Sequence, residues 1–204
     1  MAETDTYLTI KAFSQGVYKE KGSTFIALAH PVRSAAEIKT ILEETRKEHH
    51  GARHHCYAYM LGQKRDTWRT NDDGEPSGTA GKPILGQINS NGLTNVLVVV
   101  VRYFGGRLLG TGGLIHAYRS AAAEALKNCE IAEMKVHDYF NLEFGYPVMK
   151  DVMKIVKDHD LLTTNQNFEE ICRITVRIAS STTERILGLL SRIEGLRTTF
   201  LYTD

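Results

Sequence analysis

Residues 96–113 read VLVVVVRYFGGRLLGTGG, in which six apolar residues lead directly into a glycine-rich segment. The first six residues, Val96 to Val101, are apolar at every position, which is typical of a strand that is buried on both faces. The remaining twelve, Arg102 to Gly113, include five glycines. Because glycine permits positive φ and close approach of a partner to the backbone, this stretch predicts a central strand that ends in a binding surface.

A second glycine-rich segment, Asn71 to Pro83, reads NDDGEPSGTAGKP. The two segments cover 25 of 204 residues but contain 8 of the 17 glycines, so we look for function there first. Asp72, Asp73 and Glu75 lie within four residues, and such a cluster could coordinate Mg²⁺ or supply an acid and a base. The other interpretation is that these side chains only cap turns, a role for which Asp and Asn are well suited.

A helix is predicted at Leu114 to Leu126, directly after Gly112-Gly113. Backbone N–H groups at the start of a helix favour an anion, and Lys82, Arg102 and Arg107 could add contacts to phosphate. Neither the G-x-x-x-x-G-K-[ST] nucleotide loop nor the G-x-G-x-x-G fingerprint is present. An ordinary tight turn between strand and helix is the alternative.

The composition of the whole chain excludes several classes of protein. A formal net charge of +1 means that any RNA contact would need a local basic patch. The cysteines, Cys56, Cys129 and Cys172, are odd in number and far apart, which fits reduced thiols better than disulfides or a zinc site. The sequence has no secretion signal and no apolar run of membrane-spanning length, so we expect a cytoplasmic protein with no membrane partner.

Periodicity predicts the other elements. The first part should contain strands Thr6–Phe13 and Thr24–Val32 in a hairpin, a helix from a capping box at Ser34–Glu37 to His50, strands His54–Leu61 and Trp68–Thr70, and a weak helix at Thr79–Ile88. Residues 134–204 give the order βαββαβ, with a second capping box at Ser181–Glu184 and Gly195 ending the last helix. We therefore predict an α+β protein with one domain at 1–133 and a ferredoxin-like domain at 134–204.

The residues Arg53-His54-His55-Cys56 suggest a metal site or a Cys-His nucleophile. Adjacent side chains on a strand point to opposite faces, so His54 and His55 cannot easily share one metal. A third ligand at useful spacing is absent, and we expect no metal here. Cys56 is expected to be a small core residue.

Three segments resemble the IMPACT family: residues 52–56, 72–83 and 100–114. The βαββαβ half is similar to the smaller C-terminal domain of the bacterial two-domain members of that family. The resemblance implies a first domain like domain 2 of ribosomal protein S5 and a second like the last domain of elongation factor G, and both comparisons point to the ribosome. Eukaryotic members regulate translation through a protein partner and an additional N-terminal domain, for which this sequence has no room, so that partner is not carried over.

The resemblance implies a surface without implying catalytic residues. The candidate binding residues are Arg53, His54, Asp72, Asp73, Glu75, Thr79, Lys82, Arg102, Tyr103, Gly105, Gly106, Arg107, Thr111, Gly112 and Gly113. Acidic residues lie in the first segment and basic ones in the second, so we expect a composite surface that recognises something of mixed charge.

Three functions remain open. The first is a translation-associated module, without a cofactor, whose glycine-rich face contacts RNA or the ribosome. The second is an enzyme acting on a small phosphorylated ligand or nucleotide, with Mg²⁺ at Asp72, Asp73 and Glu75, because Gly110–Gly113 is faintly similar to the phosphate loop of small-molecule kinases. The third is a protein-interaction platform without RNA, anchored by Trp68, Tyr103 and Phe104, although such aromatic residues often belong to the core.

Overall fold

The computed structural model describes residues 5–204 and divides the chain into two compact units. The first unit comprises residues 7–134, and the second comprises residues 135–204 together with Asp5 and Thr6. The chain therefore passes between the units twice. The sequence-based boundary after residue 133 leaves residues 5 and 6 in the first domain, whereas the carboxylate of Asp5 accepts hydrogen bonds from the N–H and hydroxyl of Ser181 in the second unit.

The first unit contains a five-stranded antiparallel sheet in the order β2-β3-β6-β4-β5 and a separate pair, β1-β7. Its elements, of which β1 and β7 each extend by one residue into the second unit, are β1 (Thr6–Ile10), β2 (Ser14–Glu20), β3 (Ser23–Pro31), α1 (Ala35–Glu48), β4 (His54–Leu61), β5 (Thr67–Asn71), α2 (Gly81–Ser90), β6 (Val96–Tyr103), α3 (Gly110–Lys127) and β7 (Ile131–Lys135). The Ser34 hydroxyl caps α1 by accepting the N–H of Glu37 at 3.2 Å. The Glu37 carboxylate accepts the N–H of Arg33 instead of that of Ser34, so the predicted capping box is confirmed in the first of its two bonds.

Strand β6 is the centre of this unit. Val96, Val98 and Val100 pack on the side of α2 and α3, whereas Leu97, Val99 and Val101 pack on the side of α1. The predicted strand that is buried on both faces is confirmed, because a helical layer covers each face of the sheet.

The predicted hairpin is wrong in its first strand. β3 pairs with β2 rather than with Thr6–Phe13, and β1 pairs with β7. A Cβ added to Gly16 of β2 would lie 2.2 Å from the backbone N of Ala125 in α3, and the hydroxyl of Ser14 donates to the Ala125 carbonyl at 2.9 Å. β2 is therefore held by close contact with a helix, which apolar periodicity does not reveal.

The second unit has the predicted ferredoxin-like order. Its elements are β8 (His137–Phe144), α4 (Met149–Asp158), β9 (Leu162–Phe168), β10 (Cys172–Ala179), α5 (Thr183–Leu190) and β11 (Arg197–Thr203). The antiparallel sheet has the order β11-β8-β10-β9, and both helices pack on one face of it. Within residues 5–204, no helix combines the length and apolar character needed to cross a membrane.

Two details of the second unit differ from prediction. Ser181 does not cap α5, because its hydroxyl and N–H bind Asp5, and α5 begins at Thr183 without a side-chain cap from Thr182. The helix ends at Leu190, before Gly195, which has φ of +85° in the turn leading to β11. Gly195 therefore shapes a turn rather than the helix end.

Candidate functional site

Both glycine-rich segments lie at one end of the five-stranded sheet. β6 ends there while β3 and β4 begin there, and the register places Arg102 opposite Phe25 on one side and His54 on the other. β5 also ends there, at Asn71, where the first segment starts. Sheet topology therefore brings together segments that are separate in sequence.

A buried ion pair joins the two segments. Nη1 of Arg102 donates to Oε1 of Glu75 at 2.6 Å, and the hydroxyl of Tyr118 in α3 donates to the same oxygen at 2.8 Å. The Arg102 and Glu75 side chains are only 7% and 4% exposed. The guanidinium also lies 5.4 Å from the ring centre of Phe25 and 5.5 Å from that of Phe104. These contacts fix the first segment to β6 and α3 and engage both charges within the unit.

Asp72 caps helix α2 from outside the helix. Its carboxylate accepts the N–H groups of Ala80 at 3.0 Å and of Gly81 and Gly78 at 2.8 Å. Burial raises the pKa of this carboxyl, but the three hydrogen bonds and the charge of Lys82 outweigh that effect and lower the pKa from its ordinary value of 3.8. Asp72 is therefore ionised at neutral pH and stabilises the helix, as the turn-capping interpretation expects.

Asp72→Asn is expected to lower the free energy of unfolding of the first unit by about 1–2 kcal/mol at neutral pH. Because the folded pKa of Asp72 lies below its unfolded value, its stabilisation is present above that value, near 3.8, and is lost as the pH falls through the folded pKa. Urea unfolding of wild type and variant between about pH 7 and pH 2 measures the difference. The two stabilities should converge in acid, and a difference that stays constant would contradict this role. Glu170→Gln, in an exposed turn, is the control and should change stability by less than about 0.5 kcal/mol.

Asp73 and Gly74 form a tight turn with φ of +41° and +87°, the signs that a type I′ turn requires. The carboxylate of Asp73 accepts the backbone N–H of His55 at 2.7 Å and pairs with Arg46 of α1 at 3.1 Å. Its carbonyl accepts a hydrogen bond from Nδ1 of His54 at 2.8 Å. The third carboxylate of the cluster is thus also engaged internally, and Arg46 is a partner that the sequence did not indicate.

His54 and His55 point to opposite faces of the sheet, as predicted. Nε2 of His54 lies 4.0 Å from Oε1 of Glu75, on the side of α3, whereas Nε2 of His55 donates to the carbonyl of His49 at 3.2 Å, on the side of α1. Burial lowers the pKa of His55, and this effect outweighs the opposing influence of the His49 carbonyl and Asp73. His55 is therefore neutral at pH 7 and acts as a structural donor.

Cys56 is a core residue, as predicted. Its Sγ lies 2.9 Å from the carbonyl oxygen of Asp72 and 3.3 Å from the hydroxyl oxygen of Tyr118. Burial raises the pKa of the thiol far above the neutral range, so Cys56 lacks the thiolate character of a nucleophile. In the part of the chain that the structure describes, no group of three or more His, Cys, Asp or Glu side chains could hold a metal ion.

Gly105 permits two backbone segments to meet. A Cβ added there would lie 1.9 Å from the carbonyl carbon of Gly22, in the turn between β2 and β3. The N–H of Gly105 also donates to the hydroxyl of Ser23 at 3.2 Å. Its role is therefore explained by the fold.

Helix α3 begins at Gly110, four residues before the predicted start at Leu114. Gly112 and Gly113 therefore lie in its first turn instead of in a preceding loop. The pattern predicted a later start because glycine disfavours helix. The first four N–H groups of a helix have no intrahelical acceptor, and Thr111 and Gly112 are exposed at this end.

The predicted site residues differ in exposure, from exposed through half-buried to buried. Those that stay exposed are Arg53, Lys82, Gly105, Gly106, Arg107, Thr111 and Gly112. Thr79 is buried, and its hydroxyl donates to the Pro76 carbonyl at 2.6 Å, while the half-buried Tyr103 hydroxyl shares a 2.9 Å hydrogen bond with Nδ1 of His49. The exposed group therefore consists of cations, glycines and one threonine.

The aromatic anchors do not form one surface. Phe104 is exposed at the site end of the sheet, next to Tyr103. Trp68 is also exposed, but it pairs with Met60 near the other end of β4. The structure therefore separates Trp68 from the other two residues.

A groove of about 420 Å³ runs between α2 and α3 beside the first segment. Lys82, Gly86 and Gln87 line it from α2, and Ile115 and Arg119 line it from α3. The residues predicted from sequence do not include Gly86 and Arg119, because these lie in helices whose patterns indicate packing. A glycine inside a helical pattern was the signal that could have drawn attention to Gly86.

The family model for the Impact N-terminal domain matches residues 21–126. An IMPACT family member from Haemophilus influenzae is 35% identical over 167 residues, which cover 80% of this chain and 81% of that protein. The IMPACT family member YigZ of Escherichia coli is 33% identical over 79% of this chain and 80% of its own length.

The similarity extends to a solved structure. A crystal structure of a hypothetical protein, 29% identical, aligns with a TM-score of 0.70 over 98% of both chains. The IMPACT family member YvyE of Bacillus subtilis is a further relative, 32% identical over 81% of this chain and 76% of that protein. The chain therefore belongs to the IMPACT family.

Proposed function

We propose that this protein is a translation-associated binding module of the cytosol that contacts RNA or the ribosome through its first unit. The observation that carries the proposal is that Asp72, Asp73 and Glu75 all have partners within the unit. The charged members of the exposed predicted residues, together with Arg119 of the groove, are cations, which we call the cationic face: Arg53, Lys82, Arg107 and Arg119. Because the three acids are engaged within the unit while these cations stay exposed, we favour a partner that carries phosphate over one of mixed charge.

Two glycines that lie within helices support the proposal that a partner contacts the first unit. Gly86 in α2 and Gly112 in α3 have no positive φ, and a Cβ added to either would meet nothing within 4 Å. Alanine at each position would favour its helix by about 1 kcal/mol, so the fold itself gives no reason for glycine. A bare helix surface permits close approach of a partner, and Gly86 lines the same groove as Lys82 and Arg119.

Gly112→Ala is expected to raise the free energy of unfolding by up to about 1 kcal/mol while weakening association with RNA or ribosomes. Urea unfolding and ribosome co-sedimentation measure the two effects. Gly188→Ala in α5 is the matched control, because that position is equally open and exposed but lies in the other unit. Wild-type association of the Gly112 variant would contradict a partner at the start of α3.

Lys82→Ala and Arg119→Ala are each expected to weaken association and to reduce the slope of log K against log salt by about 1. Co-sedimentation with ribosomes at about 50 and 200 mM salt measures both effects, since losing a phosphate contact lowers the affinity most at low salt. Lys39→Ala, at an exposed position on α1, is the control and should leave association unchanged. If the wild-type protein shows no salt-sensitive association with RNA or ribosomes, the proposal is wrong.

The nucleotide enzyme is the competing function. It would need carboxylates to hold Mg²⁺, and those of the first segment already accept hydrogen bonds from the chain. A thermal-shift screen with nucleotides and Mg²⁺ separates the two, since a ligand at a hundred times its Kd stabilises by about 2.7 kcal/mol. A shift that Asp73→Asn abolishes would favour the enzyme over the binding module.

A further inference from the structure

The sheet of the second unit has one face without a helix of that unit. Phe140, Leu142 and Phe144 of β8 pack against α4 and α5 in the core. The alternate residues of β8 and β10 point the other way: Tyr139, Asn141, Glu143, Arg173, Thr175 and Arg177. Alternation along the strands therefore makes this open face polar and aromatic rather than apolar.

A stacked pair of tyrosines stands on the open face. The rings of Tyr139 and Tyr202 lie 4.5 Å apart between centres, at an interplanar angle of 18°. The register places Tyr139 between Tyr202 of β11 and Arg177 of β10, so the three residues form one row across the sheet. Tyr202 is 52% exposed, and a further planar ring can continue this stack.

The charge of the open face is positive. Arg173, Arg177 and Arg197 lie on it, and the acidic residue among them is Glu143, which pairs with Arg173 at 2.9 Å. A cavity of about 260 Å³ adjoins the row of tyrosines at Arg177. Its lining includes Arg177, Arg185, His137 and His159, with Asp160 as the acidic member. Burial and the charge of Arg177 lower the pKa of His137, so the cations that a phosphate group would meet here are Arg177 and Arg185.

A cross-strand tyrosine pair alone could simply stabilise the sheet. A stacked pair of tyrosines, of which Tyr202 is exposed, beside arginines and next to a basic cavity fits a more specific occupant. Single-stranded nucleic acids are held by bases that stack on aromatic side chains and by phosphates that meet cations, and a four-stranded sheet with exposed aromatics is one of the surfaces that does this. An acidic protein could form ion pairs with the arginines, but it has no planar bases to stack on the tyrosines.

We propose that the open face of the second unit binds single-stranded RNA, with a base stacked on the exposed ring of Tyr202 as a continuation of the tyrosine pair and phosphates against Arg177 and the adjoining cavity. This site belongs to the second unit and the cationic face belongs to the first, so either proposal can be wrong while the other holds.

The test measures binding of a fluorescent single-stranded RNA ten-mer to the full chain by anisotropy. Lys82→Ala/Arg119→Ala is the background, so that the contribution of the first unit is reduced. Tyr202→Leu is expected to raise Kd at least about fivefold, the loss of one stacked base, whereas Tyr202→Trp should bind as tightly as tyrosine or more tightly. The matched control is Phe200→Leu, on the other face of β11, where the Phe200 ring packs 5.5 Å from Phe140. Circular dichroism checks that each variant is folded.

A charge variant tests the phosphate contacts. Arg177→Gln should weaken binding and reduce its salt dependence, whereas Lys154→Gln, an equal loss of charge on α4, should not. The proposal is overturned if the full chain does not bind the RNA, or if Tyr202→Leu and Phe200→Leu bind equally. Displacement of the RNA by an acidic polypeptide, with no effect of Tyr202→Leu, would point to a protein partner and would also overturn it.

Discussion

Glu75→Leu is expected to lower the free energy of unfolding of the first unit by about 3–5 kcal/mol. The substitution leaves the buried guanidinium of Arg102 without its counter-ion, and the hydroxyl of Tyr118 loses the same acceptor. A buried charge without a partner is costly because it has neither water nor an opposite charge. Denaturant unfolding monitored by circular dichroism measures the loss.

Two controls separate charge from packing in this prediction. Glu75→Leu/Arg102→Met removes both charges and should recover most of the stability, because a buried ion pair is often replaceable by apolar side chains. Glu143→Leu breaks the more exposed pair with Arg173 and should cost less than about 1 kcal/mol. A double variant no more stable than Glu75→Leu would mean that shape, rather than charge, explains the loss.

Gly105→Ala is expected to destabilise the first unit by about 3 kcal/mol or more, or to prevent the β2–β3 turn from closing. The added methyl group would overlap the backbone of Gly22, which cannot move aside as a flexible side chain can. Unfolding in urea measures the cost, and amide hydrogen exchange shows whether the turn has opened.

Gly106→Ala is the neighbouring control. Gly106 has φ of +82°, but a Cβ there would meet nothing within 4 Å, so the variant suffers backbone strain of about 1–2 kcal/mol without a clash. The difference between the two variants isolates the contact with Gly22. Equal losses would show that the contact is less tight than the geometry indicates.

The sequence predicts those strands whose pattern of apolar residues reflects which faces are buried. β6 is apolar on both faces, and β8 alternates between buried and more exposed residues, so these elements were predicted correctly. β2 could not be predicted, because its place depends on a glycine that admits the backbone of Ala125, 109 residues along the chain from Gly16. Composition and periodicity do not encode such long-range contacts.

The site could be predicted as a region but not in its detail. Glycine clusters beside charges indicate a surface, and both segments do lie at one end of the sheet. Which carboxylates face inward depends on the register that puts His54 opposite Arg102, and on a bond between Tyr118 and Glu75, 43 residues apart. The exposed cations therefore stand out from the acids only once the fold has given Asp72, Asp73 and Glu75 partners within the unit.

The double passage of the chain between its units affects any attempt to divide the protein. A single cut after Met134 would produce a fragment, residues 135–204, that lacks Asp5. Ser181 would then lose both of its hydrogen bonds to that carboxylate, and the N–H of Val136 would lose the Asp5 carbonyl. Studying the second half in isolation therefore calls for a short peptide carrying residues 5 and 6 to be supplied in trans or joined by a linker.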